Sequence, residues 1–120
     1  MVSLNKKKNN IRRIAKEVID FEIKALKLLK KTINNDFDKA VNAIVNCQSK
    51  IILCGVGKSG LIAAKIASTM SSVGSPAFSL SANDCLHGDL GSISKKDLLI
   101  LISNSGKSEE LFPIIKFANR

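Results

Sequence analysis

Eleven residues, Lys50 to Gly60, limit what this chain can fold into more than any others: K-I-I-L-C-G-V-G-K-S-G. Ile51-Ile52-Leu53-Cys54 is an apolar run of strand length, cut off by a turn carrying three glycines, a lysine and a serine. Leu61, Ala63, Ala64, Ile66, Ala67 and Met70 then recur at helical spacing. A strand, a glycine turn and a helix together present bare N–H groups at the positive end of a helix dipole, where an anion binds. Gly55, Gly57 and Gly60 supply the unusual dihedrals and the close approach, and Lys58 adds a formal charge.

Two motifs compete for this turn. A P-loop, G-x-x-x-x-G-K-[ST], fits Gly57-Lys58-Ser59 but would need its first glycine at Ile52, so it is rejected. The dinucleotide pattern G-x-G-x-x-G matches Gly55, Gly57 and Gly60, yet it calls for an acid about 20 residues on. Ala77-Phe78-Ser79-Leu80-Ser81 occupies that place, and Asp84 comes too late. The dinucleotide reading is therefore disfavoured, and no cofactor is expected.

A second stretch repeats the logic. Leu98-Leu99-Ile100-Leu101-Ile102 is a continuous apolar run, as in a strand covered on both faces. Ser103-Asn104-Ser105-Gly106-Lys107-Ser108-Glu109-Glu110 follows it. Short hydroxyls and N–H groups at a helix start suit a phosphate. The alternative is plain capping, with Ser105 or Ser108 as N-cap and Glu109 and Glu110 in the first turn. Two phosphate-type turns after two parallel strands favour the ligand, because such sheets bind outside the carboxyl ends of their strands.

The remaining pattern is helix alternating with strand. Met1 to about Lys7 reads as a disordered tip. Ile11, Ile14, Val18, Phe21, Ala25 and Leu28 then mark an amphipathic helix to about Ile33. Its narrow, heptad-like stripe suits a partner subunit as readily as its own domain. Asn34-Asn35-Asp36 breaks it and caps a helix over about 37–46. A helix to about Val73, a turn at Gly74-Ser75-Pro76 and a strand over about 77–80 follow the first glycine turn. Asn83–His87 reads as a short helical turn and 88–96 as loop. Pro113 should kink or delay the last helix. Such alternation implies a parallel sheet with right-handed crossovers.

Composition allows a core but narrows its kind. The 120 residues are 45% hydrophobic with five Phe and no Trp or Tyr, so one small domain with an aliphatic core is expected. The charge of +9 is uneven: residues 1–50 hold twelve Lys/Arg against five Asp/Glu. Those lysines are spread around a helix with no aromatics between them to stack on bases, so nucleic acid is not the expected partner. Cys47, Cys54 and Cys85 show neither disulfide nor zinc spacing. With no signal-peptide pattern and no apolar run longer than Leu98–Ile102, neither secretion nor a membrane is expected, and the cytoplasm is.

At this point four segments carry a family resemblance: G-V-G-K-S-G at 55–60, G-S-P-A-F at 74–78, H-G-D-L-G at 87–91 and I-S-N-S-G-K-S-E-E at 102–110. In this combination the chain resembles the sugar isomerase (SIS) domain and, within it, the bacterial arabinose-5-phosphate isomerases, from about Ile14 to the last residue. The resemblance implies an α/β fold, a parallel sheet sandwiched by helices. Only the first three of its five strands are here, after two N-terminal helices. It implies a helical arm over 1–35 and the first part of a truncated SIS domain over 36–120. It also implies a cytoplasmic homo-oligomer that interconverts D-ribulose 5-phosphate and D-arabinose 5-phosphate, feeding Kdo synthesis for lipopolysaccharide.

Residue by residue, the resemblance implies that Ser59, Ser103, Ser105 and Ser108 bind phosphate, with Gly57 and Asn104 in the same turns. It implies that Gly74 and Ser75 contact substrate and that Lys58 and Glu110 are catalytic. His87 matches a substrate- or metal-contacting histidine; a metal would need Asp84, Asp89 or Cys85 as well, and none is expected to be required. Rival readings stand beside these: Lys58 as a solvated turn lysine, Glu110 as a first-turn helix acid, His87 as a loop or core histidine. Ser81 stands where these isomerases often carry another histidine, and Lys107 where SIS loops commonly have Glu. A non-catalytic phosphosugar-binding module and a dinucleotide-binding protein remain as alternative functions.

Overall fold

The computed structural model describes residues 2–120, with side chains from Asn9 onward. The order is α1 (Val2–Lys30), α2 (Asn35–Val45), β1 (Ile51–Gly55), α3 (Lys58–Ser72), β2 (Ala77–Ser81), α4 (Ala82–Leu86), β3 (Leu98–Ile102) and α5 (Phe112–Ala118). Short 3-10 turns occupy Asp89–Ser92 and Glu109–Leu111. The chain divides into two compact units, up to Ala40 and from Val41 to Arg120.

In the first unit, α1 is helical from Val2, so the expected disordered tip is corrected over 2–7; Met1 lies outside the described residues. Nothing in Ser3–Lys8 is a helix breaker, and unbroken propensity carries the helix to its start. Asn34 turns the chain into α2, its Oδ1 accepting the Asp36 N–H at 2.9 Å. Asp36 and Asp38 then sit in the first turn, where the dipole favours them.

The second unit is built on a three-stranded parallel sheet of order β2-β1-β3. All five residues of β1 are buried, as a central strand with both faces covered must be. Alternation along β1 sends Ile51 and Leu53 to one face, against Ala63 and Ala67 of α3. Ile44 of α2, with Leu98, Ile100 and Ile102 of β3, packs against that cluster. Cys54 faces the other side, buried with Ala82 and Cys85 of α4 and with Leu111 and Ile114. The sheet is thus sandwiched by helices, and among the described residues its core is aliphatic with no buried aromatic ring. The expected loop at 88–96 contains a 3-10 turn, which Gly88 opens at φ 126° and Ser92 closes by donating to the Asp89 carbonyl at 2.7 Å. Pro113 delays the last helix: one 3-10 turn comes first, and the proline then sits in the first turn of α5, where its missing N–H costs nothing.

An ion-pair clamp holds the amino ends of β1 and β3 together. The Lys50 ammonium meets Asp97 Oδ2 at 2.7 Å, the Ser49 hydroxyl donates to Oδ1 at 2.7 Å, and the Ser94 N–H donates to Oδ2 at 2.7 Å. The Asp97 side chain is wholly shut off from solvent. Burial alone would raise its carboxyl, but Lys50, Ser49 and Ser94 outweigh that and hold it well below the usual carboxylate range.

Candidate functional site

The carboxyl ends of the strands place the candidate residues. Gly55, the last residue of β1, is in register with Ser81 of β2 on one side and Ile102 of β3 on the other. All three strands therefore end flush, and the segments that follow them leave from one rim of the sheet.

After β1 the chain needs its glycines for two separate reasons. A Cβ on Gly55 would lie 2.6 Å from the Ser59 carbonyl carbon, and one on Gly60 would lie 2.9 Å from the Gly55 oxygen, so a helix can leave the strand end this tightly only without those side chains. Gly57 has open space around it but sits at φ 57°, which an L side chain avoids. Gly57 is also the N-cap of α3, and no side chain caps that helix. Lys58 is its first residue and is exposed; Ser59, the second, is half-buried.

After β3 the serines fold onto their own loop. Ser103 Oγ accepts the Gly106 N–H at 3.0 Å and lies 2.9 Å from Ser108 Oγ, while Ser105 Oγ accepts the Lys107 N–H at 3.1 Å. Gly106 at φ 67° permits this bend. Ser108 is the N-cap of the Glu109–Leu111 turn but makes no side-chain capping bond, and Leu111 holds the N-cap position of α5. Ser108 thus holds the N-cap position with Glu109 and Glu110 in the first turn, as the capping reading has it, but its hydroxyl pairs with Ser103 and not with a backbone N–H; Ser105 is not a cap. Their hydroxyls brace a loop, and because Ser103 and Ser108 share one bond, one of their two hydroxyl hydrogens stays free for an incoming acceptor. Asn104 is exposed in this loop, and Glu110 is half-buried in the turn after it.

After β2 the chain enters α4 at once. Ser81 Oγ accepts the Asp84 N–H at 3.5 Å, so Ser81 serves as a helix cap. His87 follows α4, its N–H bonded to the Asp84 carbonyl at 3.0 Å and its ring exposed, which excludes the core-histidine reading. The shared buried cluster of α4 with Leu111 and Ile114 fixes the elements bearing His87 and Glu110 on the same face of the sheet. Among the described residues, no three His, Cys, Asp or Glu side chains converge to hold a metal.

Gly74 and Ser75 are not brought to this rim. They precede Ala77, which is in register with Ile51, so in a parallel sheet they lie at the amino ends of the strands. There they help line a hollow of about 310 Å³ with Ile44, Cys47 and Pro76. A second hollow of about 450 Å³, lined by Cys47, Gln48, Lys96 and Asp97, is also at that end. Neither marks the site on volume alone, for the one buried charge there, Asp97, already has its partners. Gly106 was missed as a rim residue; the spacing S-x-x-G, with the glycine N–H returning to the serine, is the signal for it.

The family model for the SIS domain matches residues 44–120, nearly all of the second unit. The chain belongs to the SIS domain family. It is 43% identical over 105 residues to the arabinose 5-phosphate isomerase KdsD of Yersinia pestis, covering 88% of this chain and 32% of that protein. An uncharacterised protein of Rickettsia prowazekii is 46% identical over 111 residues, which cover 92% of this chain and 35% of its own length. Among solved structures, c3406 of E. coli CFT073 in complex with arabinose 5-phosphate superposes with a TM-score of 0.82 at 36% identity, over 90% of this chain and 59% of that one. The chain spans about a third of the length of the curated relatives it matches. Both phosphate-type turns and the whole flush rim lie inside the SIS match.

Proposed function

We propose that this SIS domain holds a phosphorylated sugar at the flush rim and that the protein interconverts D-ribulose 5-phosphate and D-arabinose 5-phosphate. The observation that carries the reading is the register: Gly55 beside Ile102 sets the Lys58 turn next to the serine loop. The similarity to a Yersinia pestis arabinose 5-phosphate isomerase and to an E. coli protein solved with arabinose 5-phosphate supports the sugar.

In this reading the phosphate sits between the uncapped N-terminus of α3 and the serine loop. The dipole there favours an anion by about 0.3–1 kcal/mol, and up to about 2 in a partly buried setting. Ser59, Ser103, Ser105 and Ser108, with Asn104, supply hydroxyl and amide donors. Isomerisation moves a proton between C1 and C2 through an enediolate, which requires a base and a cation or donor facing the developing oxyanion. Glu110 takes the base role, Lys58 stabilises the oxyanion, and His87 orients a hydroxyl or assists ring opening. The same reading assigns the protein to the cytoplasm, at the head of Kdo supply.

Turnover of arabinose 5-phosphate, paired with thermal shift, tests the proposal. Lys58→Ala should abolish turnover with an unchanged melting temperature; full activity in that variant removes the assignment. Protection by the sugar phosphate without turnover in the unmodified protein would mark a binding module instead, and protection by NAD would revive the dinucleotide reading.

A further inference from the structure

Two of the three cysteines meet in the buried layer just beneath the rim. Cys54, next to the end of β1, is 0% exposed, and Cys85 on α4 is 1% exposed. Ala82, Leu111 and Ile114 complete their cluster, and the Cys54 thiol hydrogen-bonds the Cys85 sulfur. The proposed isomerisation uses neither. Their cover is thin. Helix α4 is five residues long, well under the length at which a helix holds itself together. Its side-chain cap, from the Asp84 N–H to Ser81 Oγ, is stretched to 3.5 Å, and Gly88 at φ 126° turns the chain away soon after its end. Such a segment opens locally far more often than the strand beneath it.

We propose that Cys54 and Cys85 are a redox couple, closed to a disulfide by hydrogen peroxide, and that closure reshapes the rim. Peroxide is scarcely larger than water, so a slight opening of α4 admits it. Cys85 is the attacking sulfur: burial raises both thiols, but the hydrogen bond from Cys54 favours the Cys85 thiolate. Its sulfur takes one peroxide oxygen, the O–O bond breaks, water leaves, and Cys85 becomes a sulfenic acid. The Cys54 sulfur then displaces that oxygen as a second water, and the S–S bond forms. Two thiols give up two electrons and their hydrogens, and one hydrogen peroxide becomes two waters. An S–S bond of about 2 Å is much shorter than a hydrogen-bonded pair of sulfurs, so closure draws α4 onto β1. His87 moves with it, because its N–H bonds the Asp84 and Cys85 carbonyls at the end of α4. The Glu110 turn shifts as well, since Leu111 shares the Cys85 cluster. Both residues are thereby displaced relative to Lys58, and a displacement of about 1 Å can cost about a hundredfold in turnover. That last consequence rests on the isomerase reading; the bond itself does not.

Mass spectrometry of the full chain carrying Cys47→Ser, which removes the half-exposed thiol, reads the bond directly. Hydrogen peroxide should take away two hydrogens and join the peptides holding Cys54 and Cys85, and dithiothreitol should reverse both changes. Cys54→Ala and Cys85→Ala should each abolish the cross-link. The amides of Ala82–Leu86 should exchange about tenfold more slowly once α4 is pinned to β1. Turnover of arabinose 5-phosphate should fall at least tenfold on oxidation and return with the reductant. Oxygen added to either cysteine without the cross-link, or both thiols left intact by peroxide, overturns the couple. A cross-link that leaves α4 exchange and turnover unchanged overturns the reshaping of the rim. A chain that forms the bond and slows α4, yet never turns over the sugar phosphate when reduced, faults the isomerase reading and not this one.

Discussion

Gly55 and Gly57 stand two residues apart in one turn, yet they should respond to the same substitution by different physics. Gly55→Ala forces a methyl into the Ser59 carbonyl at 2.6 Å, a backbone clash that no rotamer relieves. Gly57→Ala meets nothing and is penalised only by its left-handed backbone. In urea unfolding, Gly57→Ala should cost about 1–2 kcal/mol, and Gly55→Ala about 3 kcal/mol or more, the upper end of overpacking; equal losses would refute the distinction. The cysteines separate as sharply. Burial, with Cys85 alongside, pushes the Cys54 thiol up to about 11, and burial raises Cys85 too, whereas Cys47 is half-exposed. Iodoacetamide at pH 8 should alkylate Cys47 in the folded protein and spare the other two, as mass spectrometry of the labelled peptides would show. The glycines were legible from sequence as residue types, but which one needs its φ and which one lacks room follows only from the helix leaving the strand end so tightly. Ser108 shows the opposite limit. Its place before two glutamates is a capping signature and it does hold the N-cap position, yet its hydroxyl pairs with that of Ser103 and not with a backbone N–H.

At the scale of elements, β1, α3 and β3 were legible because each is a strong local pattern with its own stop. What the sequence left open was contact between elements. The resemblance implies that Gly74 and Ser75 contact substrate, and the parallel register sets them at the opposite end of the sheet from the Lys58 turn. The clamp went unread although its signal is simple: Lys50 and Asp97 immediately precede two apolar strands that pair from their first residues. That clamp makes stability depend on pH. The folded Asp97 carboxyl lies below its unfolded value of about 3.9. Its contribution is therefore complete at neutral pH and is lost as the pH falls through about 4 and below. Asp97→Asn should flatten the acid limb of the stability curve. It should also cost about 2 kcal/mol at pH 7, less than the 3–5 of a fully buried pair because Lys50 is one-third exposed and can turn to water. Chemical denaturation between pH 3 and 7 checks both.

Among the described residues, the sheet of the second unit has one covered strand between two edge strands. β1 is entirely buried, whereas every residue of β3 is only partly so. The outer edge of β2 is tied at its first residue, where the Ser71 hydroxyl donates to the Ala77 carbonyl at 2.5 Å and accepts its N–H at 3.2 Å. Amide exchange should consequently separate the strands, with β1 slowest by at least tenfold and β2 and β3 both faster; β3 protected as well as β1 would mean that its outer edge is covered in solution. Because all three strands start near the Lys50–Asp97 pair and stop level with one another, anchoring and the proposed chemistry are a full strand length apart. With the sugar phosphate at the rim, as proposed, evolution can redraft the serine loop to suit a different phosphorylated metabolite while the foundation stays put, and a grafted loop should change what is held without changing how the chain melts.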